Sequence, residues 1–331
     1  MTETDNRPFA LRKYNAEQLK TALYKMHLIR LFEEGAEDSY TRGLIHGTMH
    51  LSIGQEASAV ASCMPLSDSD YITSTHRGHG HCIGKGADVK RMFAEFFGKE
   101  DGYCHGRGGS MHIADITKNN LGANGIVGAS TPLGVGAAMA AQVRGSDAVT
   151  IAFSTDGASN NGTFLESLNL AAIWNLNFIL IVENNQYAVS TTLAEATRET
   201  ELYKRGEAIG VESHRIDGND SLLVYETVSD AVKKCRAGLG PILIEAVTFR
   251  HSGHHVNDPG KYMPEEKLKY YKDRDPVDRA RDNLIKMGKA TKEEVAAIEA
   301  EIEAEFEAAV VAAKAAGEVS VEEFREFVAE Y

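Results

Sequence analysis

Apolar positions along the middle of the chain come in short runs, each ending in a polar, glycine-bearing loop. Val149–Phe153 ends in Ser154-Thr155-Asp156-Gly157, and Phe178–Val182 ends in Glu183-Asn184-Asn185-Gln186-Tyr187. Between them, Thr163 to Trp174 has helical periodicity. Two β-rich runs joined by a helix predict a βαβ unit with parallel, neighbouring strands. Further short runs at Asp70–Thr75, Val211–Ile216 and Pro241–Val247 predict more strands, and Ser221–Ala237 a helix between the last two.

The ends read differently. Asn15 with Gln18 forms a capping-box pattern, and Leu19, Leu23, Met26, Leu31 and Phe32 predict a long amphipathic helix that stops near Gly43. A small-residue helix is predicted over Glu56–Met64, ended by Pro65, and another over Asp88–Gly98. Ser130 or Thr131 is suited to cap a Gly/Ala-rich helix with Pro132 in its first turn. Thr191–Ile209 reads as a loop or a helix. Pro264 and Pro276 each open a helix. Thr291 with Glu294 caps a helix that ends at Gly317, with Val295, Ile298, Ile302 and Phe306 as its apolar stripe. The simplest architecture is one α/β domain over 1–331. It has a mostly parallel central sheet flanked by helices, with helical extensions over about 1–42 and 264–331.

Charge narrows the partners. The 35 basic and 48 acidic side chains leave a net charge of −13, which disfavours nucleic acid and anionic membrane. No stretch is apolar and long enough to span a bilayer, and MTETDNRPFALRK lacks a signal-peptide core. Cys63, Cys82, Cys104 and Cys235 are scattered, which fits reduced thiols and a cytoplasmic setting.

The chemistry is concentrated in the loops. Parallel strands place Asp156 and Asn185 at one carboxyl edge, where open α/β sheets bind ligands. A carboxylate, an amide oxygen and a backbone carbonyl near Tyr187 suit a hard cation such as Mg²⁺ beside phosphate oxygens. The helix beginning near Asn161 points its N-terminus at the same edge. As dipeptides alone, Asp-Gly and Asn-Asn are ordinary turn residues. Nine histidines (His46, His50, His76, His79, His81, His112, His251, His254, His255) fall in glycine-containing loops. Zinc is a competing reading for His79 and His81, but no H-E-x-x-H or Cys-His spacing supports it.

Taken together, the segments ITSTHRGHGHCIGKG, GRGGSMHIAD, LGANGIVG, the Asp156–Asn185 spacing and ENNQYAVST closely resemble the α subunit of the heterotetrameric thiamin-dependent dehydrogenases. These are the E1 components of the pyruvate, branched-chain 2-oxoacid and acetoin dehydrogenase complexes. The wording is nearest to the acetoin branch, and the similarity runs from about Leu28 to Arg281. The resemblance implies a thiamin diphosphate-binding fold with two cofactors, thiamin diphosphate and Mg²⁺. By position, Asp156, Asn185 and the Tyr187 carbonyl would hold the metal. Gly157 and Ala158 would lie along the diphosphate, with His76 and Arg77 beside it. Gly125 and Val127 would meet the aminopyrimidine through their backbone. His254 would contact the diphosphate and serve acyl transfer, and His50 would stand near the reacting carbon.

The implied reaction is cleavage of a C–C bond in acetoin, a related α-hydroxyketone or a 2-oxo acid. The acyl unit would pass to a lipoyl group on an E2 acyltransferase or to a dye. A glutamate needed by the cofactor would come from a β subunit in an α₂β₂ assembly, so the chain alone would be inactive. Glu56 reads as structural. Three positions depart from the family pattern. Thr155 replaces a glycine beside the diphosphate, Ser130-Thr131 replaces the usual pair before Pro132, and RHSGHHVNDPGKY is closer to the 2-oxoacid enzymes than to the acetoin ones. His255 occupies the position of a regulatory serine, which excludes phosphorylation there. The alternatives are a pyruvate or branched-chain E1 α subunit, and a non-catalytic homologue kept as a scaffold.

Overall fold

The computed structural model describes residues 14–329. The first thirteen residues of the expected N-terminal extension lie outside that range. The first element of the described residues is α1 (Ala16–Thr41), whose capping box joins Asn15 and Gln18 as expected. Next come α2 (Glu56–Cys63), β1 (Tyr71–Thr73), α3 (His79–Lys85), α4 (Val89–Phe96) and α5 (Ser130–Val143). The central βαβ unit is β2 (Thr150–Thr155), α6 (Gly162–Ile173) and β3 (Phe178–Asn184). A small ribbon of β4 (Tyr187–Ala188) and β5 (Thr191–Thr192) leads through short α7 (Leu193–Ala196) and α8 (Lys204–Glu207). Then follow β6 (Glu212–Asp217), α9 (Ser221–Arg236) and β7 (Ile242–Val247). Four helices close the described chain: α10 (Glu265–Lys272), α11 (Pro276–Lys286), α12 (Lys292–Lys314) and α13 (Val321–Ala329).

The five long-range strands form one sheet in the order β1-β2-β3-β7-β6, and every neighbouring pair is parallel. Side chains alternate between two covered faces. Ile151, Phe153, Ile179, Ile181, Ile242 and Ile244 pack with Val224, Val228 and Val232 of α9. Ala152, Leu180, Val182 and Leu243 pack with Val135 of α5 and with Phe164 and Leu168 of α6. Burial on both faces explains why these strands read as continuous apolar runs. Each fully buried Ile or Phe contributes roughly 1.5–3 kcal/mol. A third, helical layer is built from α1, α4, α11 and α12, with Val295 and Ile302 buried in it and Ile298 and Phe306 packed against it.

Several expectations change. His79 begins a helix rather than continuing the loop that starts at Thr75. The helix is hidden in the sequence by glycines, but Gly80 and Gly84 are there for close packing on α2. A Cβ on Gly80 would lie 3.1 Å from the Ala59 Cβ, and one on Gly84 would lie 2.9 Å from the Ala59 carbonyl oxygen. Neither Ser130 nor Thr131 caps α5. The N-cap is Ala129, and the Ser130 hydroxyl donates to the Phe153 carbonyl at 2.6 Å instead. The segment 191–209 is a ribbon strand with two short helices. Beyond Gly317 the chain forms α13, an element that the apolar pattern does not predict. No helix among the described residues is long and apolar enough to cross a membrane. All four cysteines are free thiols.

Candidate functional site

Parallel register brings the loops together. Thr155 pairs with Glu183 and Asn184 with Val247, so the loops after β2, β3 and β7 leave one sheet edge side by side. The loop after β1 joins them, carrying His76 and Arg77.

Asp156 sits directly after β2 and is 2% exposed. Burial pushes its carboxyl up to about 6, opposed by hydrogen bonds from the backbone N–H groups of Gly157 and Gln186 and by the charge of Arg250. A buried carboxylate in this condition gains from a nearby cation. Asn185 is also buried. Its amide donates to Gln55 Oε1 at 3.3 Å, and its oxygen accepts from the Tyr187 N–H at 3.3 Å. The Tyr187 carbonyl accepts weakly from Arg250 Nη1 at 3.5 Å. The three oxygens are hard donors of the kind Mg²⁺ takes, so the residues present fit that ion.

The turn after Asp156 is tightly held. The Ala158 N–H donates to Thr155 Oγ1 at 3.1 Å. Thr155 therefore occupies one of the donors this turn would otherwise offer to an anion. Gly157 is required by space: a Cβ there would lie 2.9 Å from the Ala188 Cβ. Arg205 of α8 donates to the Ser159 carbonyl and, at 2.8 Å, to Asn160 Oδ1. α6 begins beside this turn, with Asn161 as its N-cap.

Three histidines meet opposite. Ring centroids of His50 and His76 are 4.7 Å apart, those of His50 and His254 4.7 Å, and those of His76 and His254 5.7 Å. His50 is buried, and its Nδ1 has no hydrogen-bond partner among the described residues. Burial first, then the charge of Arg77, lowers all three: His50 to about 2, His76 to about 3 and His254 to about 4. They are neutral at pH 7. The His254 N–H donates to Asp258 Oδ2 at 2.6 Å, and Tyr262 Oη donates to the same oxygen at 2.6 Å. Burial works against ionisation of Asp258, yet hydrogen bonds from Tyr262, His254 and Gly260 hold it down at about 2.

Arg77 is buried and ties two loops, donating to the Leu51 carbonyl and, at 2.9 Å, to the His254 carbonyl. Arg250 is a site residue that the sequence pattern does not single out, although it lies in the histidine-rich loop. It is 1% exposed and donates to the Val189 carbonyl and to Tyr262 Oη at 2.6 Å. Its guanidinium charge reaches both Asp156 and His254.

Gly125 and Val127 sit at the outer rim. Val127 is 51% exposed and its carbonyl accepts from Asn161 Nδ2 at 3.3 Å. Ile126 beside it is 73% exposed. The apolar side chains Leu133, Met139 and Val143 of α5 and Ile173 of α6 are also exposed, as is Trp174 just after α6.

His79 and His81 do not join this group. His79 Nδ1 is 3.0 Å from both Glu33 oxygens, and its Nε2 is 2.8 Å from Ser110 Oγ. His81 Nδ1 is 2.7 Å from Ser74 Oγ, its Nε2 is 3.2 Å from Glu183 Oε2, and its ring stacks on Phe153 at 3.6 Å. Both pin the fold, which removes the zinc reading for that pair. Glu56 is structural: fully buried, it accepts from Arg30 Nε at 2.7 Å and from the Gly54 N–H at 2.9 Å. The Gly-rich loop over 102–112 closes on the protein's own Glu95, which accepts from the N–H groups of Cys104, Gly106, Gly108 and Gly109 at 2.7–2.9 Å. That anion nest is filled from within.

Known proteins share this chain's sequence over most of its length. A profile of the dehydrogenase E1 component family matches residues 24–322. The acetoin:2,6-dichlorophenolindophenol oxidoreductase α subunit of Cupriavidus necator is 46% identical over 262 residues, 79% of each chain. The α subunit of the same name from Bacillus subtilis is 43% identical over 81% of each chain. The pyruvate dehydrogenase E1 component α subunit of Rhizobium meliloti is 39% identical over 88% of this chain and 84% of its own. A match across most of the chain, together with relatives well above 30% identity, gives one answer: the chain belongs to the dehydrogenase E1 component family, as an α subunit of the thiamin diphosphate-dependent kind.

Proposed function

We propose that this α subunit holds the diphosphate half of a thiamin site and cleaves a C–C bond in acetoin or a related α-hydroxyketone. The observation that carries the reading is the convergence of the loops after β1, β2, β3 and β7 on one sheet edge, with Asp156 buried and under-compensated at its centre. In this reading Asp156, Asn185 and the Tyr187 carbonyl hold Mg²⁺. Gly157, Ala158, His76 and Arg77 face the diphosphate, joined by Arg250. Thiamin diphosphate, when bound, supplies the nucleophilic carbon and the electron sink. The chain's own contribution is placement and proton handling. His50 and His254 are neutral at pH 7, so each accepts or donates a hydrogen bond at a substrate oxygen without carrying charge. The acetoin preference is supported by the two relatives at 46% and 43% identity. The 2-oxoacid-like Asp258-Pro259-Gly260 loop keeps pyruvate as the second substrate to assay.

A partner completes the site. Gly125 and Val127 are at an open rim, and α5, which starts just after them, exposes Leu133, Met139 and Val143 along its length, which favours a β subunit covering that side in an α₂β₂ assembly. A lipoyl E2 acyltransferase would be the acceptor of the acyl unit, with the site working in the cytoplasm. Titration of the assembled α/β complex with thiamin diphosphate and Mg²⁺ tests the core of the reading. Saturable binding is expected, and Asp156→Ala should weaken it by at least about 100-fold, the loss of a buried charged ligand. Binding indifferent to that substitution sinks the proposal. Dye reduction with acetoin against pyruvate decides the substrate.

A further inference from the structure

The trio His50, His76 and His254 has a property that proton handling at a substrate does not require. One ring nitrogen from each lies within 4.8 Å of the others, and no carboxylate or thiol of the described residues shares the cluster. Three loops far apart in sequence supply them, and hydrogen bonds fix each loop. The Val256 N–H donates to the Met49 carbonyl at 3.0 Å, Arg77 ties Leu51 to His254, and Asp258 holds the His254 N–H at 2.6 Å. These bonds tie the three loops to one another, and the side chains converge.

We propose that His50, His76 and His254 form a reversible binding site for a borderline transition cation, with Zn²⁺ as the type ligand. Three imidazoles and an open fourth position make up a set that zinc accepts. Tetrahedral Zn–N bonds of about 2.0–2.1 Å place the nitrogens roughly 3.4 Å apart, so each ring needs to shift by under about 1 Å. All three rings are neutral at pH 7, and no proton has to leave before the metal binds. An all-nitrogen set discriminates against Mg²⁺, which takes oxygen. The site is thus chemically distinct from the oxygen set at Asp156, Asn185 and Tyr187.

Two neighbours set the strength. Arg77 and Arg250 stand beside the cluster and repel any cation. None of the three rings hydrogen-bonds a carboxylate among the described residues, as the rings of tightly held zinc sites do, and His254 Nδ1 faces Arg250 Nη1 at 3.5 Å instead. The occupant is therefore exchangeable. Its consequence rests on the thiamin reading: a metal bridging His50 and His254 removes both from the substrate and inhibits. The binding itself does not depend on that reading.

Calorimetric titration of the full-length chain with Zn²⁺, in excess Mg²⁺, tests the site. One saturable Zn²⁺ per chain is expected. His50→Gln and His76→Gln keep side-chain volume and should each weaken binding by more than the roughly 10–100-fold that loss of a supporting partner costs a metal site. A control replacing the exposed His105 and the half-buried His214 should bind as the unmodified chain does. Visible absorption of Co²⁺ added to the unmodified chain gives a second readout that needs no variant, and intense tetrahedral bands are expected. Absence of saturable Zn²⁺ binding, weak octahedral Co²⁺ bands, or binding lost in the control but kept in His76→Gln would each overturn the proposal. Failure of the Asp156→Ala titration with intact Zn²⁺ binding would strike the thiamin reading alone.

Discussion

His76 and His79 are three residues apart in sequence, yet they belong to two different chemical worlds. His79, with His81 after it, is fully buried, and each ring is clamped between a carboxylate and a serine: Glu33 and Ser110 for one, Glu183 and Ser74 for the other. His76, with His50 and His254, has two guanidiniums nearby, and Asp258, the carboxylate beside His254, binds its backbone N–H rather than a ring. A histidine whose nitrogens are both satisfied inside the protein stabilises the fold. A histidine whose ring is neutral, surrounded by positive charge and incompletely bonded is left with hydrogen-bonding capacity for something else. Residue type does not separate the two sets; the partner does.

The comparison is broken most sharply by truncation. His50→Ala or His254→Ala should lower turnover of the assembled enzyme by about 10²–10⁴-fold, the usual contribution of a positioned proton-transfer group. Folding should be little affected by His50→Ala, because the buried Nδ1 it removes has no partner among the described residues. Dye-linked turnover and a urea melt of the same samples check both halves. A variant of His50 that loses stability but keeps turnover would place that histidine with the pinning set.

The opposite pattern is expected of the clamped pair. His79→Ala leaves Glu33 buried with the Ser52 N–H at 3.1 Å and the Ser52 hydroxyl at 2.6 Å. His81→Ala leaves Glu183 with the Ser58 hydroxyl. Removing one partner of a buried hydrogen bond to a carboxylate costs about 1.5–3 kcal/mol. Equilibrium unfolding of each variant measures it. A loss of under about 1 kcal/mol would mean that the carboxylates find other partners or water.

How much of the molecule is legible in its sequence follows the same division. The βαβ unit can be read because its strands are buried on both faces, and the adjacency of Asp156 and Asn185 then follows from the Thr155–Glu183 register. The loops carrying His50, His76 and His254 can be read as rich in donors. Their meeting point cannot, since it depends on how three distant loops close over the sheet edge. Glu33, Glu183 and Arg250 escape a reading by motif because their partners are far away in sequence, 46 residues in the case of Glu33 and His79. Glu33 does leave a trace: it falls among Ile29, Phe32 and Ala36, all buried, where a charge demands a partner. The helical start at His79 is obscured because its glycines serve α2 packing rather than a turn.

Acid sharpens the comparison further. The His50, His76 and His254 values are depressed in the folded chain relative to about 6.5 unfolded. Protons therefore favour the unfolded chain, and the stability these residues contribute is present above pH 6.5 and lost as pH falls from there toward 4. Asp156 opposes them: raised to about 6, it contributes stability below its unfolded value that is lost as pH rises through 6. Three depressed groups outweigh one raised group. Thermal midpoints measured from about pH 7 to about pH 4 should fall, and less steeply for a variant with all three rings replaced by glutamine. Parallel curves would show that the trio titrates normally.

The smallest expected effect concerns Thr155, the departure nearest to the diphosphate turn. Its hydroxyl accepts the Ala158 N–H at 3.1 Å, so it holds a donor that the diphosphate would otherwise use. Thr155→Gly frees that donor and also removes bulk beside Gly157, where the Thr155 hydroxyl would stand 3.9 Å from a Cβ. One neutral hydrogen bond is worth about 0.5–1.5 kcal/mol, so thiamin diphosphate affinity should rise by about 2- to 10-fold. Glycine at the end of β2 costs folding about 0.5–1 kcal/mol, visible as a small drop in thermal midpoint. Thr155→Val separates the two causes, since it removes the hydroxyl and keeps the bulk. If valine reproduces the gain, the competing hydrogen bond limits the cofactor. If only glycine does, crowding is responsible. Unchanged affinity in both would mean that the turn binds diphosphate without the Ala158 N–H, and that this departure is neutral for the site.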